Sequence, residues 1–512
     1  MKFKPPKTSR LKSKALFTIV GGAVLINPAF AQEATKSGEL EEVIVTGMRG
    51  SLEASMDIKR EAIGVVDAIN AEDIGKFPDT NLAESLQRIP GISIDRRNGE
   101  GSQVTARGFG PQFNMVTLNG RQLPGAEGFG NGDVIIGGQG TATRSFNFAN
   151  LASESIRAVQ VFKTGRADIA TGGIGATVDI LTARTFDQDG TVMNVGAKAL
   201  YDTTNRVGDD ITPELSGLFS FTNDDRTLGA SLSASYQKRD SGSVQSTVNN
   251  WNIETWSATA ADNVADGPFS PTAVVENAPS VGQLYGIPND IRYAASDIER
   301  ERINAQAVVQ FSPSDSMVLT LDYTFAQNDI TEDRGEQTVW LQRNGFTHVI
   351  FDTDEAVATP LFLQEMTGAG KDFGFEQQHN ETRNRLGSLG FNMSWDVSDR
   401  LNVGLDYHKS KSEALPNDGT TGGSQTAFSF AGKVPSTGNC TTGVCTNFWT
   451  QEFQFNNGLP TAGRTLYPTN TAALAGTGGN SDYVFDASTL GSQVLRVSFQ
   501  EQVTEVEQLQ IG

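Results

Sequence analysis

The chain has 512 residues, with 40 basic and 60 acidic side chains and a formal net charge of −20. That balance excludes a nucleic-acid partner, which needs a basic face. Hydrophobic content of 38% with 54 glycines points to long polar loops, or to strands with a single apolar face.

The N-terminus reads as a leader. Lys2, Lys4, Lys7, Arg10, Lys12 and Lys14 form a basic run, and Ala15–Ile26 is an apolar stretch of 12 residues. Ala29-Phe30-Ala31 supplies the small-residue cleavage pattern. Residues 1–31 are therefore expected to be a secretory signal peptide, too short to span a bilayer as a helix. Without the six basic residues of the leader, 34 basic face 60 acidic residues. No later stretch holds 18 consecutive apolar residues, so no transmembrane helix is expected.

Residues 32–60 read as a polar tether. Within it Glu41–Gly47, EEVIVTG, is a short β-prone run between two acids and a glycine. Such a run can add a strand to another protein's sheet edge, with main-chain bonds supplying affinity. It can equally be the first strand of a globular domain.

Residues 61–186 read as a compact α+β domain. Ala62–Ile69 is a strand candidate, and Asp73 a helix cap. A helix is expected over Thr80–Ile89, with Thr80 as N-cap and Leu82, Leu86 and Ile89 on one face. Pro90-Gly91 stops it. Strands follow at Ile92–Asp95, Gln103–Arg107, Met115–Leu118, Ala158–Phe162 and Ala176–Leu181, with an Asn119-Gly120 turn. Glycine-rich stretches at Arg97–Ser102 and Gln122–Ser145 interrupt the domain. The second is long enough to read as a functional loop. Neither fits a phosphate-binding motif: no G-K-[ST] occurs, and no strand-to-helix frame surrounds the glycines.

The ordered blocks of this region resemble the plug of TonB-dependent outer-membrane receptors. They are Leu86-Gln87-Arg88-Ile89-Pro90-Gly91-Ile92, Thr105-Ala106-Arg107-Gly108-Phe109 and Val116-Thr117-Leu118-Asn119-Gly120-Arg121. Further blocks run from Glu154 to Gly165 and from Gly173 to Thr182. Glu42, Val43, Ile44, Val45, Thr46 and Gly47 resemble the family's TonB box. Met48–Leu52 and Phe77–Glu84 are similar to a subgroup often linked to carbohydrate uptake.

The resemblance implies several roles. Glu42–Gly47 would pair with TonB, which draws on an inner-membrane proton-driven complex. Arg107 would sit in the barrel against wall carboxylates. Lys163, where the family has an arginine followed by Gly-Pro, would be a second plug–barrel contact. Gln122–Ser145 would be an apical loop facing the substrate, with Arg121, Asn131, Asp133, Gln139 and Arg144 as candidate ligand contacts.

From residue 187 the pattern becomes alternating strands. Leu228, Ala230, Leu232, Ala234 and Tyr236 alternate with Gly, Ser and Gln. Met317–Ala326 and Leu401–His408 repeat the pattern, the outer-membrane barrel signature. Eight strands are expected: Val192–Tyr201, Glu214–Phe221, Thr227–Lys238, Glu301–Phe311, Met317–Gln327, Arg385–Trp395, Arg400–Lys409 and Gln493–Gln502. Short turns alternate with long connections at Lys238–Glu299, Gln327–Asn384 and Ser410–Gly491, as in barrels embedded in lipid. Eight strands cannot enclose a plug, and plugged transporters need about 22. The expected fold class is an α+β plug followed by the first part of an antiparallel transmembrane β-barrel, residues 187–512, with the chain truncated within it.

The long connections hold Trp251, Trp256, Trp340 and Trp449. Aromatic faces stack on sugars, so these are candidate saccharide contacts; loop anchoring or an interfacial girdle is the other reading. Cys440 and Cys445 share one Gly/Thr-rich loop and read as a local disulfide in an exported protein. Asp352–Glu355 lacks the glycine and ligand spacing of a Ca²⁺ loop. No metal, cofactor or catalytic set is expected.

The functional expectation is active import across a Gram-negative outer membrane, with lipid around the barrel. The ligand is expected to be an oligosaccharide, alternatively a ferric siderophore. A passive porin or adhesin would lack the plug blocks. An exported carbohydrate hydrolase would rest on paired carboxylates, a weak signal among 60 acids.

Overall fold

The computed structural model describes residues 55–62, 64–70, 81–97, 99–126, 144–153, 156–167, 169–248, 251–257, 269–341, 345–367, 375–416, 425–430, 447–456, 458–468, 494–498 and 501–512. The leader, Glu42–Gly47, Asn131, Asp133, Gln139, Cys440 and Cys445 lie outside these residues.

The N-terminal domain is built on one mixed sheet. Its strands are β1 (Val66–Asn70), β4 (Met115–Leu118), β5 (Arg121–Gln122), β6 (Ile156–Phe162) and β7 (Thr177–Thr182), in the order β1-β6-β7-β4-β5. A separate hairpin joins β2 (Ile92–Arg97) to β3 (Glu100–Ala106). The apolar alternation of these strands closes one core around Leu82, Leu86, Val104, Val159, Val161, Val178 and Ile180. The helix is shorter than expected, Leu82–Leu86, and its cap is Asn81, whose side chain accepts from the Ala83 and Glu84 amides. Asparagine binds two orphan amides there, the task expected of Thr80.

Among the described residues, eight long antiparallel strands of a ten-stranded sheet make a wall. They are β8 (Thr191–Leu200), β9 (Thr212–Thr222), β10 (Leu228–Val248), Asp290–Ser314, Met317–Trp340, Phe375–Ser398, Leu401–Leu415 and Gln502–Ile511. Two expectations fail here. The last strand is Gln502–Ile511 rather than Gln493–Gln502; Val494–Ser498 is a different strand, paired with Gln425–Phe430. The central strands also run well beyond their apolar stretches: Lys238 to Val248 stays paired as far as Val248↔Ile291. Backbone pairing continues where side chains turn polar, so an apolar-face criterion ends these strands too early.

The wall has two unlike faces. Leu232, Val309, Phe311, Leu321, Tyr323 and Leu389 are exposed on one. Arg300, Arg302, Asn304, Gln306, Thr320, Asp322, Asn328 and Ser388 are buried on the other, which receives the N-terminal domain. Asn304 Oδ1 accepts from Ala152 N at 3.2 Å, Asn328 Nδ2 donates to Asn150 Oδ1 at 3.0 Å, and Gln310 Oε1 accepts from Thr185 Oγ1 at 2.9 Å. Ala326 and Leu386 are the wall's members of the N-terminal core.

The long connections carry structure of their own. Phe269–Glu276, Phe346–Phe351, Pro360–Thr367, Asn447–Asn456 and Leu459–Pro468 form a five-stranded sheet, and Trp251–Thr255, Leu284–Pro288 and Val357–Ala358 a three-stranded one. Two of the pairings are parallel, joining segments from different connections. A second apolar core lies here, including Phe269, Tyr285, Ile287, Phe346, Phe351 and Phe453.

Candidate functional site

The site is the junction between the N-terminal domain and the polar face of the wall. Its first half begins at a turn. Asn119 and Gly120 both take positive φ, 54° and 80°, the pattern of a tight two-residue hairpin. Gly120 N donates to Asp179 Oδ1 at 2.8 Å, and Thr117 Oγ1 donates to the same oxygen at 2.6 Å. Burial holds the Asp179 carboxyl above its ordinary range. The turn brings Arg121 opposite Leu118 at the edge of the domain sheet.

Arg121 then reaches into the wall. Nε donates to Asp406 Oδ1 at 2.8 Å and Nη2 to Asp406 Oδ2 at 2.9 Å, a two-pronged fork. Nη1 donates to both oxygens of Asp322, at 2.8 and 2.7 Å. The Arg121 side chain is 2% exposed and that of Asp322 0%. Arg184 Nη1 adds a bond to Asp322 at 3.3 Å, so two cations meet two anions. Forked charge-assisted bonds of this kind are among the strongest a protein makes.

Gly390 makes room for the fork. It pairs directly with Asp322 on the neighbouring strand. A Cβ at Gly390 would overlap the Arg121 guanidinium. The site thus requires both a planar cation on the domain and a missing side chain on the wall. His408 Nε2 bonds the Gln122 carbonyl at 3.2 Å beside it.

The second half has the opposite polarity. Glu100, at the tip of the β2–β3 hairpin, is fully buried. Its carboxylate accepts from Arg239 Nη1 at 2.8 Å and Arg302 Nη2 at 2.7 Å, and pairs with Arg300 Nη1. Arg239 also donates to Asp202 Oδ2 at 2.6 Å. Burial alone would raise the Glu100 pKa, but the three guanidiniums outweigh it and hold the carboxyl at about 2. Asn81 Nδ2 donates to the Gly101 carbonyl at 2.7 Å, and Glu84 Oε1 accepts from Gly101 N at 3.0 Å. The helix cap and the helix's first turn therefore anchor the hairpin.

The expected contacts are redistributed. Among the described residues Arg107 meets no wall carboxylate. Its side chain donates to the Gly175 carbonyl at 2.6 and 3.1 Å, within its own domain, from a backbone position with a positive φ of 53°. Lys163 likewise binds within the domain, to Asp67 and to the Pro90 carbonyl at 2.6 Å. Arg121, expected at the ligand, is instead the buried wall contact. Arg144 is exposed and donates to the Gly172 carbonyl at 3.1 Å. It lines a cavity of about 270 Å³ with Leu123, Phe146, Thr504 and Val506.

The tryptophans are mainly packing residues. Trp251 stacks on Phe455 and lies edge-on to Phe453, at 6.5 and 6.3 Å between ring centres. Trp256 packs edge-on to Tyr285, Phe269 and Phe351 at 5.4 to 5.9 Å. Trp340 lies under the Arg292 guanidinium at 5.8 Å. Trp449 falls in the Asn447–Asn456 strand, with its side chain outside the described residues. The Asp352 carboxylate accepts from Thr359 N at 3.1 Å, a turn contact.

Residues 58–177 match the family described as TonB-dependent Receptor Plug Domain. Over 178 residues the chain is 24% identical to Ferric enterobactin receptor PirA of Pseudomonas aeruginosa, covering 33% of this chain and 23% of that protein. It is 23% identical over 182 residues to Ferric enterobactin receptor of the same organism, covering 34% and 23%. The chain thus spans 23% of the length of each relative. Among solved structures, the ferric enterobactin receptor PfeA aligns with 79% of this chain and 60% of its own, at 10% identity and a TM-score of 0.33. The match to the plug-domain family thus falls on the N-terminal sheet domain, and a wall of antiparallel strands follows it.

Proposed function

We propose that this chain is the plug and wall of an outer-membrane receptor that imports a ferric siderophore with energy delivered through TonB. The observation that carries the reading is the plug seated on the polar wall face through Arg121, Asp322 and Asp406. A seated plug closes a passage until something moves it, which separates an energised importer from an open porin. The exposed apolar wall face suits lipid hydrocarbon, and Glu42–Gly47 would be the strand that TonB takes up.

Two observations favour a siderophore over an oligosaccharide. The named relatives of the plug are ferric enterobactin receptors. Trp251 and Trp256, the basis of saccharide stacking, are engaged in the loop core. The test is calorimetric titration of the full-length protein in detergent against ferric siderophores and oligosaccharides. Saturable siderophore binding is expected, and oligosaccharide binding alone would overturn the substrate. Deleting Glu42–Gly47 should abolish accumulation in cells and spare surface binding; unchanged accumulation would refute the coupling.

A further inference from the structure

The second half of the junction has more cationic wall than it needs to hold the plug. Glu100 and Asp202 are the carboxylates bonded to Arg239, Arg300 and Arg302, so three cations meet two anions. Arg239 and Arg300 are direct cross-strand partners. Like charges in that position repel unless an anion lies between them. Arg300 and Arg302, 4% and 2% exposed, also keep their Nε donors without a partner among the described residues. Buried guanidinium donors left open are costly, and they mark a cradle larger than its present occupant.

That occupant is removable. Glu100 belongs to the plug, on a hairpin tip where Gly99 takes a φ of 76°. Its anchors, Asn81 and Glu84, are plug residues too. The arginines belong to the β10 and Asp290–Ser314 wall strands. If the hairpin withdraws, the guanidiniums stay on the wall.

We propose that Arg239, Arg300 and Arg302 form a carboxylate-binding site on the inner wall, filled here by Glu100 and open to a carboxylate-bearing solute once that hairpin leaves. The site does not depend on the siderophore reading, because it is defined by wall residues and tested without transport.

The experiment is chemical rescue. Full-length protein carrying Glu100→Ala is purified in detergent, and its thermal midpoint is followed with sodium formate against sodium chloride at matched ionic strength. The midpoint should fall below wild type in chloride and recover saturably in formate. The recovery should vanish when Arg302→Gln is added, and wild type should not respond to formate. Identical midpoints in both salts would overturn the proposal. If Glu100→Ala does not fold in chloride, refolding yield in formate becomes the readout, with Glu100→Gln as the control for tolerance of charge loss. No recovery in formate, with folded Glu100→Gln in hand, overturns it equally.

Discussion

The two halves of the junction are opposites in charge. At one, a plug cation, Arg121, is clamped between two wall aspartates. At the other, a plug anion, Glu100, is held among three wall arginines. The first is balanced and its fork is bonded on every branch. The second is overfilled with cations, and some of its donors are open. The difference separates a fastening from a receptor: the first is complete with the plug in place, and the second would remain a binding surface without it.

The largest expected effect is at the fastening. Among the described residues, Arg121→Ala would leave Asp322, with no exposed surface, to the longer bond from Arg184. Breaking one partner out of a buried pair costs about 3–5 kcal/mol. Denaturant or thermal melting of the full-length protein checks it, and a loss below about 1 kcal/mol would mean that water reaches the aspartates.

The next effect is pH-dependent and belongs to the other half. The folded-state pKa of Glu100 lies below its ordinary value, at about 2. Its stabilising contribution is therefore complete above the ordinary carboxylate range and is lost as pH falls from about 4.5 towards 2. The contribution is about 3 kcal/mol. Wild type should exceed Glu100→Gln by about that amount at pH 7, and the two melting curves should converge near pH 2. A gap independent of pH would show that packing, not charge, holds the hairpin.

Gly390→Ala tests the fastening from the wall side. The added methyl overlaps Arg121 Nη1, so the fork must shift, at a cost of about 1–3 kcal/mol. In an Arg121→Ala background the same change should cost much less, which a double-mutant cycle reads directly. Smallest is Asn81→Ala, which removes the helix cap and the bond to Gly101 for about 1 kcal/mol. It should loosen the Glu100 hairpin and leave the Arg121 fastening untouched, visible as faster amide exchange in β2–β3 alone.

Much of this architecture is legible in residue alternation. The turn at Asn119-Gly120, the strand Met115–Leu118 and the outward faces of the wall follow from local chemistry. The last wall strand escaped because Glu505 and Glu507 stand on its exposed face, where an apolar criterion expects Leu or Phe. The site was less legible. Asp322 and Asp406 alternate with apolar neighbours, and Arg300 and Arg302 share the parity of Asn304 and Gln306. Charges on the inward register were therefore visible. Their partners were not, because Arg121 and Asp406 lie 285 residues apart and nothing local joins them. Arg107 is the complementary case: its residue type suits a wall carboxylate, but its guanidinium bonds the Gly175 and Ile174 carbonyls of its own domain, contacts far apart in sequence that nothing local announces.

The parallel pairings above the wall have a mechanical consequence. Phe269–Glu276 and Phe346–Phe351 come from different connections yet share one sheet, and Asn447–Asn456 from a third joins the same sheet through Pro360–Thr367. The paired segments of the three connections are therefore tied to one another by backbone hydrogen bonds. Phe269, Phe351 and Phe453, one from each connection, pack in a single apolar core. Deleting one paired segment would therefore unpack its neighbours too, and a binding signal lost with it would report the shared sheet and core rather than a ligand contact.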